Sequence, residues 1–335
     1  MAAAPRDRRW AVPLIPHTAE RSMKPHTAAL LVLNYNGSQH LQDCLSTALT
    51  AAAEIEGPCP VVLVDNRSTD ASVAFTRKHF PAVEVVVSPR NDFLFSLNDV
   101  VLGRPEDIVI VLNNDMRFAQ GFVAPLLAHF ADPAVFAVGA GIRNWDDSVD
   151  TVGPRCARVH HFWFYKWWSV DRQQTALTLE ACAGAVAYRR SMFIELEGFD
   201  PLYRPGYYED FDLSYRAWGR GWKVIYEPAS RAYHRISASM KARHGQIEQD
   251  RLFYRNHLLF TAKNVGGAAF LLGFLLLLPL RAVRPLIRGD AVPLVGFMRA
   301  LPALPRAIAR RFRGSRRRID LARFETVTPL DVAHV

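Results

Sequence analysis

The strongest constraint on the fold is a repeated alternation between short apolar runs and segments with helical spacing. Runs rich in Val, Ile and Leu cover residues 28–34, 60–66, 83–87 and 107–115, and helical patterns at 38–54 and at about Thr69–His79 separate the first three. Continuous apolar runs separated by helices are typical of parallel strands that are buried on both faces. The sequence therefore predicts an α/β fold with a doubly wound, mostly parallel central sheet, which binds ligands at the carboxyl ends of its strands.

Polar side chains follow three of these predicted strands. Asn34 and Asn36 follow the first, Asp65 follows the second, and Asn113-Asn114-Asp115 ends the run at 107–115. One polar strand end is ordinary turn chemistry, but three at one sheet edge predict a pocket. Neither GxGxxG after the first strand nor GxxxxGK[ST] occurs, so both common phosphate cradles are absent. A bound nucleotide would then need a divalent cation such as Mg²⁺ or Mn²⁺, with Asp115 as its candidate ligand.

The positive charge of the chain is concentrated near its C-terminus. The net charge of the 335 residues is +9, and residues 281–318 hold eleven arginines and a single acid, Asp290. The four cysteines form no CxxC pair, which disfavours a disulfide scaffold or a zinc site. Residues 1–26 contain charges and prolines but no uninterrupted apolar core, so we expect a disordered tail rather than a secretory signal, with translation starting at Met1 or Met23.

An apolar run precedes the arginine-rich segment. Residues 265–280 carry no charge, but 16 residues fall short of the roughly 20 that a simple membrane span needs. An interfacial or re-entrant hairpin, a single span and a buried core helix are all compatible with this pattern. We favour the first, because apolar residues beside arginines are typical of segments that lie on an anionic membrane surface. Arginines on the cytoplasmic side agree with the positive-inside rule, and the apolar run argues for lipid rather than nucleic acid as the partner.

Two adjacent acids, Glu209 and Asp210, begin a predicted helix that ends near Gly219 and Gly221. Acids at a helix N-terminus can simply suit the helix dipole and cap free N–H groups. Adjacent helical residues do not share a face, however, so one acid could act on a substrate while the other holds a neighbour. The residues alone leave both possibilities open, and it is the family resemblance given below that favours Asp210 as a general base with Glu209 as its positioning partner.

Five blocks of sequence resemble, in order, the signatures of a known family. They are LVLNYNGSQHLQDCL, VVLVDNRSTDAS, IVIVLNNDM, ACAGAVAYRRSMFIELEGFD and YYEDFDLSYRAWGRGWKVIYEPASRAYH, all within residues 28–263. The family is the family 2 glycosyltransferases of the GT-A fold, and the similarity is greatest to its bacterial rhamnosyltransferase-like branch. The resemblance implies inverting transfer of a sugar from a nucleotide-sugar to an acceptor hydroxyl, with a divalent cation as cofactor.

The resemblance also implies roles for individual residues. Asp210 falls at the general base, Asp115 at the one acid of a DxD-like metal motif, and His234 at a further metal or diphosphate ligand. Gly184 and Tyr208 fall at the sugar and acceptor side, although a strand bulge would equally explain Gly184. The positions expected to contact the donor nucleotide are Asn34, Asn36, Asp65, Asn98 and Asn114.

One block departs from the family pattern. In the RNDFLFSLN loop (Arg90–Asn98), which normally lies close to the donor, Arg90 and Asp92 replace the usual Asn and Gly, while Phe93 and Asn98 remain. The donor is expected to be a dTDP- or UDP-linked sugar, with rhamnose as the family-level candidate.

We therefore expect three parts: a tail at 1–26, a catalytic domain at 27–263 and membrane-associating helices at 264–335. The predicted enzyme adds a sugar to a glycan or lipid-linked glycan in cell-surface polysaccharide synthesis, at the cytoplasmic face of the plasma membrane. A nucleotidyltransferase would want a glycine-rich basic loop after the first strand, which NYNGSQH does not offer. The alternative that stays open is a non-catalytic, membrane-associated module that binds a nucleotide-sugar or glycan.

Overall fold

The computed structural model describes residues 26–235, 239–312, 319–326 and 328–329. The predicted N-terminal tail lies outside the described residues except for His26, whose Nε2 is hydrogen-bonded to the carbonyl oxygen of Phe130 at 3.0 Å. Part of the arginine-rich segment, residues 313–318, also lies outside them.

The strands of the described ranges run from the first apolar segment to the C-terminal region. They are β1 Ala28–Asn34, β2 Val61–Asp65, β3 Glu84–Val87, β4 Ile108–Asn113, β5 Met116–Phe118, β6 Val135–Asn144, β7 Arg155–His160, β8 Trp163–Trp168, β9 Ala176–Leu177, β10 Ala185–Arg189, β11 Lys223–His234 and β12 Thr328–Pro329.

The α-helices of the same ranges cover the sheet and form the C-terminal part of the chain. They are α1 Leu41–Ala53, α2 Ser72–His79, α3 Leu97–Gly103, α4 Val123–Ala128, α5 Arg190–Glu195, α6 Glu209–Arg220, α7 Ser239–Asn264, α8 Ala268–Val283, α9 Val292–Ala300 and α10 Leu304–Arg311. Helix α7 has a kink at Gly245.

Most of these strands belong to one sheet, in which the strand order is β12-β9-β11-β6-β10-β4-β1-β2-β3 and β5 pairs with β11. The β3-β2-β1-β4 portion is wholly parallel, as the apolar runs predict. Strand β10 enters antiparallel between β4 and β6, and β11 runs parallel to β6. Strands β7 and β8 form a separate antiparallel hairpin.

Burial explains why these segments form strands. Every residue of β1 and β2 is buried, and so are the first five residues of β4, so both faces of the parallel strands are covered. Such strands need apolar side chains at consecutive positions, which is the pattern in the sequence.

Two predicted boundaries were wrong by a few residues. Helix α2 begins at Ser72 instead of about Thr69, because Thr69 is held in the preceding loop, where its backbone N–H donates to Asn36 Oδ1 at 2.7 Å. Strand β4 ends at Asn113 instead of Asp115, because Asn114 and Asp115 form the turn that reverses the chain into β5. Both corrections place the polar residues in loops at the sheet edge.

The apolar run at 265–280 lies mostly within α8. Among the described residues, two helical stretches are long and apolar enough to cross a membrane by length and composition, Ala268–Arg288 with mean hydropathy 1.9 and Val292–Arg311 with mean hydropathy 1.2. Both are mostly exposed, which disfavours the buried core helix among the three predicted possibilities.

Candidate active site

Asn34, Asp65 and Ser68 form a buried hydrogen-bond network where β1 and β2 end. Asn34 Nδ2 donates to Asp65 Oδ2 at 2.7 Å, and Ser68 donates to the same carboxylate through its backbone N–H (2.7 Å) and its hydroxyl (2.6 Å). Asp65 is 0% exposed. The structure thus brings Asp65 and Asn34 to the predicted edge of the sheet but turns the Asp65 carboxylate inward, where it fixes the loops around it.

Asn36 links the same two loops from the other side. Its backbone N–H donates to Ser68 Oγ at 2.9 Å, and its side-chain oxygen accepts from the Thr69 N–H. Asn36 itself has a left-handed backbone, with φ 49°, which Asn tolerates better than most residues. It therefore shapes the strand ends as well as lining them.

The three strand ends meet at Gly37. Asn114 Nδ2 donates to Asn34 Oδ1, so the β4 turn is tied to the end of β1. A Cβ atom at Gly37 would lie 2.0 Å from Asn114 Nδ2 and 2.8 Å from Asn34 Oδ1. Only glycine allows this approach, because real Cβ contacts are not that short.

Asp115 and His234 come together because β5 pairs antiparallel with the end of β11, which sets His234 opposite Met116. Asp115 Oδ2 lies 3.1 Å from His234 Nε2. The other oxygen, Oδ1, is buried and accepts no hydrogen bond from any described residue. A carboxylate oxygen left open beside an imidazole suits a divalent cation, for which both residue types are ordinary ligands.

This pair does not make a complete protein cage. No group of three or more His, Cys, Asp or Glu side chains close enough to hold a metal ion occurs within the described ranges. Mg²⁺ and Mn²⁺ do not need one, since they commonly bind through one or two carboxylates together with water and substrate phosphates. The two predicted ligands therefore fit a cation that arrives with a phosphorylated substrate.

Asp210 lies at the start of α6 and faces the loop before β10. Its Oδ2 accepts from the Ala183 N–H at 3.1 Å, and its Oδ1 accepts from the Phe211 N–H at 2.7 Å. The carbonyl oxygen of the next residue, Gly184, accepts from the Asn113 N–H at 2.9 Å, so one loop contacts both Asp210 and the end of β4, beside the turn that carries Asp115. A Cβ at Gly184 would lie 2.7 Å from Met116 Cε, so this backbone is also closely packed.

The environment of Asp210 suits a base. Burial and the charge of Glu180 raise the pKa of its carboxyl, the charge of Lys166 opposes them, and the resulting pKa is about 6. A base is most effective when its pKa lies near the working pH, because it is then both ionised and able to take a proton.

Glu209 differs from Asp210 despite being its neighbour. It is 3% exposed, and its Oε2 has no hydrogen-bond partner among the described residues. Burial raises the pKa of Glu209 well above its usual range, and the charge of Asp210 raises it further. Glu209 is therefore the harder of the two acids to ionise, which favours Asp210 as the acid of the pair that accepts a proton.

The turn before this pair is strained and tightly held. Tyr207 and Tyr208 both have left-handed backbones, with φ 69° and 75°, which costs roughly 1–3 kcal/mol for each bulky residue. Asn256 of α7 holds the turn by donating to the carbonyl oxygens of Gly206 (2.7 Å), Tyr207 (2.9 Å) and Tyr203 (3.0 Å). Strain supported in this way is typical of functional sites.

Tyr208 does not face solvent. Its ring is 2% exposed, and its hydroxyl is hydrogen-bonded to His257 Nδ1 at 2.8 Å. The predicted contact of this side chain with an acceptor is thus not supported by its position, since the ring packs beneath the turn that carries Asp210.

Asn98 also occupies a different environment from the one predicted. Its side-chain amide donates to the Phe199 carbonyl at 2.9 Å and accepts from the Phe199 N–H at 2.8 Å. Both ends of the amide are thus engaged in holding the Gly198–Asp200 segment, which does not support a donor contact. In the loop that precedes α3, Asp92 pairs with Arg90 at 2.9 Å and with Arg204 at 2.5 Å. Arg90 and Asp92, the two residues that depart from the family pattern, thus neutralise each other's charge.

Sequence reasoning missed a cluster of charges beneath the acidic pair. Lys166 of β8 lies over the rings of Tyr208 (4.0 Å) and Phe211 (4.2 Å) and 3.8 Å from Glu180 Oε2. Burial lowers the pKa of Lys166 to about 8, so it is still mostly charged at neutral pH. A lysine inside the aromatic run VHHFWFYKWWSV was the one available signal, because a cation in such a run needs a buried partner.

Comparison with known proteins agrees with this geometry. Residues 25–248 match the family described as glycosyltransferase like family 2. A curated relative from Mycobacterium tuberculosis (strain ATCC 25618 / H37Rv), an N-acetylglucosaminyl-diphospho-decaprenol L-rhamnosyltransferase, is 28% identical over 233 residues, which cover 61% of this chain and 75% of the relative.

Solved structures share the fold at low sequence identity. The mannosyltransferase PcManGT from Pyrobaculum calidifontis, in complex with GDP-Man and Mn²⁺, has a TM-score of 0.54 and 17% identity, covering 85% of this chain and 75% of its own. S. aureus TarS 1–349 in complex with UDP-GlcNAc has a TM-score of 0.55 and 15% identity, covering 84% and 81%. GalNAc-T7 with UDP, GalNAc and Mn²⁺ has a TM-score of 0.56 and 16% identity, covering 73% of this chain but only 48% of its own.

These matches confirm the predicted fold class and the resemblance drawn from the five sequence blocks. The fold is the GT-A glycosyltransferase fold, built on a mostly parallel central sheet with apolar helices at the C-terminus. The match over residues 25–248 includes the strand ends, the Asp115–His234 pair and the turn that carries Asp210. The chain belongs to the family 2 glycosyltransferases.

Proposed function

We propose that this protein transfers a sugar, with inversion at the anomeric carbon, from a nucleoside-diphosphate donor to a hydroxyl of a lipid-linked acceptor. Residues 27–263 would form the catalytic unit, and residues 264–335 would hold it at the membrane. The observation that carries the proposal is the position of Asp210 at the start of α6, where its carboxylate accepts a hydrogen bond from the same loop that contacts the end of β4 beside Asp115.

Asp210 would act as the general base. As the acceptor oxygen attacks the anomeric carbon, its proton passes to the Asp210 carboxylate, and the bond from that carbon to the β-phosphate oxygen breaks. The nucleoside diphosphate then leaves with the bonding electron pair. One base is enough, because the leaving group is good; a glycoside hydrolase would need two opposed carboxylates. The Ala183 and Phe211 N–H groups orient the base by donating to its two oxygens.

Asp115 and His234 would hold Mg²⁺ or Mn²⁺. Support comes from the open Oδ1 of Asp115 beside the imidazole, as well as from the Mn²⁺ in the structures of two proteins that share the fold. When bound, the cation would supply Lewis-acid stabilisation of the charge on the departing diphosphate.

The donor nucleotide would bind at the strand ends, where Asn34, Asn36 and Asn114 are tied together around Gly37. Buried Asp65 would contribute by holding these loops in place. A dTDP- or UDP-linked donor remains our proposal, and rhamnose is the leading candidate because the curated relative is a rhamnosyltransferase.

The acceptor would carry a diphosphate-linked lipid, by analogy with the N-acetylglucosaminyl-diphospho-decaprenol on which that relative acts. The two apolar helical stretches of the C-terminal region are consistent with work at a membrane. We propose the cytoplasmic face of the plasma membrane, because nucleotide-sugars are made in the cytoplasm and the flanking arginines follow the positive-inside rule.

The test measures nucleoside diphosphate release from dTDP- and UDP-sugars, with a polyprenyl-diphosphate-linked N-acetylglucosamine acceptor and with Mg²⁺, Mn²⁺ or EDTA. We expect one donor to be used, and NMR of the product to show an inverted anomeric configuration. Asp210→Asn should lower kcat by about 10²–10⁴-fold, the usual contribution of a general base, while donor affinity by calorimetry stays unchanged.

The matched control is Asp171→Asn, which makes the same change at an exposed aspartate in the loop after β8. It should leave kcat unchanged. Binding of Mn²⁺, followed by electron paramagnetic resonance, should be lost in Asp115→Ala. Donor binding without turnover by the wild-type protein, across all donors and acceptors, would instead favour the non-catalytic binding module.

A further inference from the structure

Helix α8 has two opposite apolar faces. One face is buried against the rest of the protein by Leu271 (7% exposed), Phe274 (0%), Leu278 (2%) and Ala282 (0%). The other carries four exposed side chains, which we name the leucine stripe: Leu272 (61% exposed), Leu276 (71%), Leu280 (63%) and Val283 (49%). At 3.6 residues per turn, each set spans an arc of about 80°, and the two arcs are centred about 160° apart. The helix is therefore apolar towards the protein and equally apolar away from it.

Helix α8 is fixed to the catalytic domain by the β7–β8 hairpin, whose Trp163 ring lies 5.9 Å from the ring of Phe274 on the buried face. On the flank between the two faces, the Phe162 ring at the hairpin tip packs so closely on Gly273 that a Cβ there would lie 2.5 Å from it. Arg281 donates to the carbonyl oxygens of His161 and Phe162, and its guanidinium lies 5.0 Å from the centre of the Trp163 ring. The same hairpin carries Lys166 beneath the Asp210 turn. Helix α8 thus belongs to a rigid surface of the folded enzyme.

These contacts argue against a membrane-spanning α8, although the helical stretch Ala268–Arg288 is long enough to cross a bilayer. A span would draw the hairpin tip, with His160, His161 and the Arg281 guanidinium, into the hydrocarbon, where polar and charged groups are costly.

The positive charge next to the leucine stripe indicates which kind of partner would cover it. Arg284 and Arg288 are exposed just beyond the C-terminal end of α8. They belong to the segment that holds eleven of the arginines of the chain and one acid. A second copy of this chain would bring equally positive segments together, whereas an anionic lipid surface would complement them. Apolar residues beside arginines are the pattern of helices that lie in the plane of an anionic membrane surface.

We propose that the leucine stripe inserts into one leaflet of an anionic bilayer, with α8 lying parallel to the membrane plane and the catalytic domain resting on its opposite face. This deepens the proposed function, since it gives the surface that would bring the enzyme to a lipid-linked acceptor. It excludes a span by α8, the single span that the sequence left open.

The test is co-sedimentation of the full-length protein with vesicles, which requires neither donor nor acceptor. We expect binding to vesicles of phosphatidylglycerol and phosphatidylcholine, and weaker binding to phosphatidylcholine alone. Replacing three stripe residues together (Leu272→Gln, Leu276→Gln and Leu280→Gln) should weaken binding at least about tenfold, because each leucine contributes buried apolar area. The matched control is Leu102→Gln, since Leu102 is 59% exposed on α3, away from this surface, and should bind as the wild type does.

Three outcomes would overturn the proposal. One is unchanged vesicle binding by the triple variant when circular dichroism shows that it is folded. Another is retention of the wild-type protein in membranes at alkaline pH, which would indicate a span. The third is a lipid-free dimer that the triple variant dissociates, which would assign the stripe to a second copy. Donor turnover with a water-soluble acceptor analogue is measured in parallel, so failure of the membrane proposal and failure of the proposed chemistry give different results.

Discussion

Replacing Lys166 with Met should move the pH dependence of catalysis without touching a substrate. Lys166 is 9% exposed and lies 4.2 Å from the Phe211 ring. Its charge lowers the pKa of Asp210, whereas burial raises it, and the resulting pKa is about 6. Removing a nearby opposite charge raises the pKa of a carboxyl by about 1–3 units, and we take the lower end because aromatic rings separate the two groups. The Lys166→Met variant should therefore have a base with a pKa of about 7.

The consequence is a selective loss of activity at low pH. A base must be ionised, so kcat falls as the pH drops through the pKa of Asp210. At pH 6 half of the wild-type base is ionised, whereas a base with a pKa of about 7 is ionised only to about one-eleventh, which gives a roughly fivefold lower kcat. At pH 8.5 both forms are almost fully ionised, so the two rates should agree.

The assay follows nucleoside diphosphate release at saturating donor and acceptor between pH 5 and pH 9. Glu180→Gln should shift the acid limb the opposite way, because the charge of Glu180 raises the pKa of Asp210. Lys223→Met removes a lysine whose side chain is 44% exposed and pairs with Asp132, and it should leave the acid limb in place. An acid limb that stays at its wild-type position in both folded Lys166 and Glu180 variants would refute Asp210 as the titrating base.

Two further changes test how the site is held. Gly37→Ala places a Cβ 2.0 Å from Asn114 Nδ2 and should weaken nucleoside diphosphate binding by at least about tenfold in calorimetry. The control is Gly103→Ala, whose Cβ would meet no described atom within 4 Å and which should bind the nucleoside diphosphate as the wild type does. Lys263→Met removes the cation that bridges two buried carboxylates, Asp200 and Asp212, and leaves each of them with one arginine partner. It should lower the free energy of unfolding in urea by about 3 kcal/mol, the low end for breaking a buried pair, whereas the exposed-pair variant Lys223→Met should cost less than about 1 kcal/mol.

Much of the fold follows from local pattern, because the four parallel strands need apolar side chains on both faces and the sequence supplies them. The start of α6 at Glu209 and its end before Gly221 follow as well, since Gly221 has the left-handed backbone, with φ 84°, that a helix end commonly uses. The antiparallel position of β10 between β4 and β6 could not be predicted from local pattern, because its apolar run does not indicate the direction of the strand or its neighbours in the sheet.

The positions of site residues were easier to predict than their orientations. A motif locates Asp65 and Asn98 along the chain, but the direction in which each side chain points depends on the partners that it finds in the fold. Ser68 and Asn34 draw Asp65 inward, and the Phe199 backbone engages both ends of Asn98. These two remain predictions as donor contacts, and the structure gives each a positioning role that the motif does not contain.

Helix α7 explains why the catalytic turn depends on residues beyond the signature motifs. Asn256 holds the carbonyl groups of the turn that ends at Asp210, and Lys263 bridges Asp200 (2.6 Å) and Asp212 (2.7 Å), the latter one residue beyond Phe211 on α6. The chain then continues directly into α8, whose buried face rests on the hairpin that carries Lys166. Asp210 is thus supported from two sides by elements that also form the apolar C-terminal surface. Under the function proposed above, a surface placed in this way would position the acceptor for Asp210 without any separate linker, because the same elements carry both.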